Sequence, residues 1–195
     1  MKKTTVLLTL LLLFAVSPLY AYKVIVKIPA TATLADQNAE LQLYINEEVP
    51  ATEETPAVVS VYIKYKQSGK ASYILTSNPQ AEAAWKEMAE TKAPAEVTHF
   101  DIPAIEKAVF VPGTPNLILV EGCPDARNVC TYLVNFRTRK VKQLPSNEGL
   151  LRFDPQQRYI YLSDYRYHPE GGRYSVEKVL TYDGKFVEEH KLAEE

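Results

Sequence analysis

Hydrophobic and polar positions alternate with a period of two through much of the chain, most sharply at residues 158–167. Tyr159, Tyr161, Ser163, Tyr165 and Tyr167 fall on one side there, and Ile160, Leu162, Asp164 and Arg166 on the other. This is the repeat of a strand, whose successive side chains point to opposite faces. The same reading predicts strands at 22–28, closed by Pro29, and at 41–45, and a hairpin of 58–66 with 70–75 around Gln67-Ser68-Gly69. The acidic stretch 46–56, with Pro50 and Pro56, predicts a loop. Beyond Phe100, strands are predicted at 117–121, 130–136, 140–144, 150–153, 158–167, 174–182 and 185–190, in the order of a meander. Asp154-Pro155, His168-Pro169, Gly171-Gly172 and Asp183-Gly184 mark reversals. Asp-Gly predicts a two-residue hairpin loop, because it supplies the positive φ such a loop needs.

One stretch changes period. Ala81, Ala84, Trp85 and Met88 recur at helical spacing, Glu82, Lys86, Glu87 and Glu90 face away, Asn78 and Pro79 suit a helix start, and Pro94 stops it. The expectation is therefore an all-β fold, mainly an antiparallel meander, with one α-helix near residues 79–92 docked through Trp85. A single domain over 22–195 is predicted, divisible into sub-units 22–100 and 101–195.

Within the strand-rich part the pattern returns. Phe110-Val111-Pro112 followed by Leu117-Ile118-Leu119-Val120 overlies Phe153-Asp154-Pro155 followed by Tyr159-Ile160-Tyr161-Leu162, at an offset of about 43 residues. The next hairpins also correspond, with Tyr132 to Phe136 and Lys140-Val141 over Val179 to Tyr182 and Lys185 to Val187. A fainter copy runs from Leu41 through Val58 to Leu75. On these residues the stretch 108–191 resembles the blade repeats of β-propellers. Residues 153–162 resemble the opening strands of a blade, and 132–144 its outer hairpin. The resemblance implies blade-like meander sheets; it carries over no propeller function, since closure takes at least four blades and the tryptophan-aspartate signature is absent.

The start of the chain changes the picture of where the protein works. Lys2 and Lys3 precede an apolar run over 6–16, broken only by Thr9, and Ser17, Pro18 and Ala21 follow. This reads as a signal peptide over 1–21, cleaved after Ala21, because the run is too short to span a bilayer. A secreted or periplasmic protein of about 174 residues is expected, with no membrane span after signal removal. Its formal charge moves from −2 to about −4 on processing, with acids and bases mixed and no basic stripe, which argues against nucleic acid as a partner.

Candidate chemistry is sparse. Cys123 and Cys130, an even pair in an exported chain, predict a disulfide closing a hairpin loop. His99 and Asp101 share one face of a short extended stretch, enough for a base and its orienter but not for a site. His168 and His190 read as surface histidines, and Glu53-Glu54 and Glu188-Glu189 as solvated charge. No nucleophile elbow, zinc helix, phosphate loop or dinucleotide fingerprint occurs, so no catalytic residue, metal or cofactor is predicted. The tyrosine stripe is the candidate ligand-binding surface, through Tyr159, Tyr161, Tyr165 and Tyr167. Aromatic faces stack on sugars, and phenols supply hydrogen bonds with little rotamer entropy to lose; tyrosine is also simply a good strand former. The resulting expectation is an exported, non-catalytic binding module for a protein or glycan. The alternatives are a secreted hydrolase built around His99 and Asp101, and a structural subunit of an envelope assembly. No oligomeric state follows from the sequence.

Overall fold

The computed structural model describes residues 27–50, 52, 57–76, 98–99, 105–125, 128–138 and 140–192. The signal segment 1–21, most of the strand predicted at 22–28, the helix predicted at 79–92 and Asp101 lie outside them. The described residues form an all-β structure of three sheets.

The first sheet has the order β1 (Thr33–Gln37), β2 (Leu41–Val49), β3 (Val58–Tyr65), β4 (Ala71–Thr76) and β5 (Thr98–His99). Its pairs are antiparallel except β4 with β5. β2 continues through Asn46–Val49, where the sequence predicted a loop. The polar groups responsible are satisfied across the sheet: buried Asn46 accepts from Thr31 Oγ1 at 2.7 Å, and Glu48 Oε1 accepts from Ser60 Oγ at 2.6 Å and Tyr62 Oη at 3.1 Å. β1 is a polar edge strand with little apolar alternation to reveal it.

The second sheet is the meander β6 (Ile105–Phe110), β7 (Leu117–Asp125), β8 (Asn128–Asn135) and β9 (Lys140–Leu144). Asp36 of β1 ties it to the first sheet by accepting the Phe110 backbone N–H at 2.8 Å. The third sheet is the meander β10 (Gly149–Asp154), β11 (Tyr159–Tyr167), β12 (Arg173–Thr181) and β13 (Phe186–Lys191). The seven strands predicted after Phe100 are thus present but do not make one meander, because pairing breaks between β9 and β10. The loop between them is held by bonds that replace the ladder. Ser146 Oγ donates to the Ser163 carbonyl at 2.6 Å and accepts from Gly149 N–H at 3.0 Å, while Val129 N–H donates to the Asn147 carbonyl at 2.9 Å. Gly149 has φ 94°, and a Cβ there would lie 2.7 Å from Glu121 Oε1, so the crossing needs glycine.

The second sheet packs on both of its faces. Ile118 and Val120 join Leu43, Val59, Val61 and Ile63 of the first sheet, whereas Leu119 joins Ile160, Leu162 and Leu180 of the third. The unbroken run Leu117 to Val120 is therefore that of a strand buried on both sides, and the alternating run in β11 that of a strand with one buried face. Consecutive sheets related in this way bear out the resemblance to propeller blades, and it extends to the first sheet.

Two turn-level expectations change. The Asp183-Gly184 reversal encloses three residues, since Thr181 N–H donates to the Lys185 carbonyl, with Gly184 at φ 72°. The expected Cys123–Cys130 bridge is not seen: Cys130 is a free thiol, and the register pairs it with Gly122, beside an irregularity between Gly122 and Asp125.

Candidate functional site

β11 pairs with β12 without a bulge, from Tyr159 opposite Thr181 to Tyr167 opposite Arg173. Ile160 and Leu162 are fully buried against the second sheet, as the alternation predicts, and so is Asp164, at 1% exposure. Burying a carboxylate is costly unless it is paired and hydrogen-bonded. Asp164 is both. It forms an ion pair with Lys178, accepts from Arg166 at 3.0 Å and from Asn147 Nδ2 at 3.1 Å, and Lys178 also donates to the Pro145 carbonyl at 2.7 Å. Arg166 in turn pairs with Glu189. Burial by itself pushes the Asp164 carboxyl up, but hydrogen bonds from Lys178, the Tyr165 backbone N–H and Arg166 outweigh it, so the group titrates below the usual carboxylate range.

The opposite face carries the predicted tyrosines. Tyr159, Tyr161 and Tyr165 are half-buried and Tyr167 is 71% exposed. Tyr161 is roofed by Arg152, whose guanidinium lies 3.7 Å from the ring centroid. Arg152 is fixed there by a two-pronged ion pair with Glu177 of β12, which raises its pKa further. Tyr165 and Tyr167 meet edge to face at 5.5 Å, and Arg173 stands 5.3 Å from the Tyr165 centroid. A hydrogen bond shared with Tyr167, then the charge of that neighbour, holds the Tyr165 phenol above its ordinary range. The Tyr165 hydroxyl donates to Asn128 Oδ1 at 3.4 Å, and Ser163 Oγ to Glu148 Oε2 at 2.7 Å.

Four tyrosines on one face were legible from the two-residue period. Arg152, Glu177 and Arg173 were not, because they come from neighbouring strands whose register the sequence does not state. His99 lies in β5 beside β4, away from this face in the strand order, and its expected companion Asp101 lies outside the described residues. Among the described residues no group of three or more His, Cys, Asp or Glu is placed to hold a metal ion, and no helix is long and apolar enough to cross a membrane.

No family model matches the chain, and no curated protein matches it. A solved structure similar to it is the β-propeller domain of the Trilobed protease from Pyrococcus furiosus, described as having an open velcro topology. The TM-score is 0.53 and the identity 8%, over 83% of this chain and 42% of that one. The chain therefore spans well under half of that structure. At this identity the likeness concerns the fold alone, and it agrees with the three blade-like sheets.

Proposed function

We propose that the protein is an exported, non-catalytic binding module that recognises a protein through the tyrosine-bearing face of its third sheet. The observation that carries this reading is the composition of that face: tyrosines interleaved with Arg152 and Arg173, held in place by stacking and by the Glu177 ion pair. Tyrosine and arginine are the residues enriched where proteins meet, because they offer large, rigid, amphipathic area with hydrogen-bonding ends. A sugar platform needs open ring faces; here Arg152 already occupies a face of Tyr161, and Tyr165 meets Tyr167 edge-on. That favours a protein over a glycan. Export rests on the charged start, the short apolar run and Ala21.

A photo-crosslinking residue placed at Tyr167 in the native host tests the reading. The expected result is a protein adduct of one defined mass that is lost in a Tyr165→Ala background at unchanged melting temperature. Absence of any adduct, or glycan binding that depends on the same two tyrosines, would overturn it. Mass spectrometry of the mature protein checks export, with Tyr22 as the expected first residue.

A further inference from the structure

Between the second and third sheets, at the end of the interface away from Asp164, runs a groove of about 710 Å³. That volume suits a small organic ligand. Its walls are mainly apolar, from Leu117, Leu133 and Val141 on one side and Tyr182 on the other, and Lys140, Lys142 and Arg158 stand along it.

Three separate features converge on this groove. Arg158 is the one described non-glycine residue with positive φ, at 60°, a backbone conformation disfavoured for a long side chain and concentrated at functional sites. In that conformation its carbonyl accepts the Tyr182 N–H at 3.0 Å and its guanidinium is 5.4 Å from the Tyr182 ring centroid. Second, the Tyr182 hydroxyl is buried with no hydrogen-bond partner among the described residues, a cost native structures seldom carry unexplained. Third, the charge is unbalanced. The one acid among the residues lining the groove, Asp183, pairs with Lys185 at 3.1 Å, and Lys142 Nζ donates a hydrogen bond to the Asp183 backbone carbonyl at 3.1 Å. Lys140, Lys142 and Arg158 face no paired carboxylate among the described residues, in a chain whose overall charge is −2.

We propose that this groove binds a small organic carboxylate with an apolar body. The body lies against Leu133, Val141 and the Tyr182 ring, and the carboxylate is taken by the Arg158 guanidinium, whose planar fork matches its two oxygens, with Lys140 as the second cation. The apolar walls lower the local dielectric and strengthen that pairing. The site is separate from the tyrosine face and does not depend on it.

The test titrates isotope-labelled protein by NMR with phenylpropionate, phenylpropionamide and inorganic phosphate. Phenylpropionate is expected to shift the amides of Leu133, Val141 and Tyr182 saturably. The neutral amide should bind about tenfold more weakly, and phosphate should not displace the acid. Arg158→Gln should lower affinity for the acid about tenfold with the rest of the spectrum retained, while Glu106→Gln on β6 leaves it unchanged. Should Arg158→Gln fail to fold, Lys140→Gln on the exposed edge strand β9 must show the loss instead. Equal binding of acid and amide, displacement by phosphate, shifts confined to other residues, or unchanged affinity in a folded variant each overturn the proposal.

Discussion

The two coverings of the second sheet differ in kind. Towards the first sheet the contact is a continuous apolar cluster, in which Ile118, Val120, Val134, Ala108 and Phe110 meet Leu43, Val59, Val61 and Ile63. Towards the third sheet the apolar centre of Leu119, Leu133, Ile160, Leu162 and Leu180 is flanked by buried charge at Asp164 and Lys178. Glu121 adds to the charge there, accepting the Leu150 N–H while pairing with Lys107 at 3.0 Å. Apolar burial is strong but indifferent to direction. The Asp164–Lys178 pair lies within the third sheet, but it is bonded to Asn147 and the Pro145 carbonyl of the connecting loop, and Glu121 reaches Leu150 across the interface. Such bonds hold only in one geometry, so the second contact specifies how the third sheet sits, at the risk of a large loss when one partner goes.

Removing one partner of the buried pair is the sharpest way to break this contrast. Asp164→Ala leaves Lys178 buried without its counter-ion and is expected to cost about 3–5 kcal/mol in denaturant unfolding. A loss below about 1 kcal/mol would mean that the charges are solvated and the two coverings alike. Replacing both, as Asp164→Leu with Lys178→Met, should bring stability back to within about 2 kcal/mol of the original, since apolar residues of similar volume substitute well for a buried pair.

The acid limb of stability separates the coverings without altering either. Because the Asp164 carboxyl titrates lower when folded than when unfolded, its contribution is complete above the ordinary carboxylate value of about 4 and is lost as pH falls through the depressed folded value. The double variant should therefore lose stability less steeply below about pH 4 than the parent. In the apolar covering, Ile118→Val should cost about 0.5–1.5 kcal/mol with an acid limb parallel to that of the parent. On the open face of the third sheet, Tyr167→Ala should change stability by no more than about 0.5 kcal/mol. Tyr161→Ala should cost more than Tyr167→Ala by melting temperature, since it takes away the ring beneath Arg152.

Particular residues show where the reading of the chain held and where it failed. The tyrosine stripe, the burial of Ile160 and Leu162, and the hairpin of β3 with β4 followed from the two-residue period, because alternation is a property of the strand's own backbone. The strand through Asn46–Val49 did not, since Asn46 and Glu48 are strand residues only by virtue of partners at Thr31, Ser60 and Tyr62. The placing of Cys130 opposite Gly122 likewise depends on a register that the sequence does not state.

The sequence by itself determined which side chains share a face, and that 117–120 and 159–162 are strands; burial of 117–120 on both sides emerged only from the packing of the sheets. Only the tertiary structure decided that the strands divide after β9, because the division rests on Ser146 and Asn147 bonding to residues far along the chain. It likewise decided that Asp164, on the same face as Ile160 and Leu162, could be buried: its counter-ion Lys178 stands on the next strand, and a strand's own period carries no information about its neighbour's register.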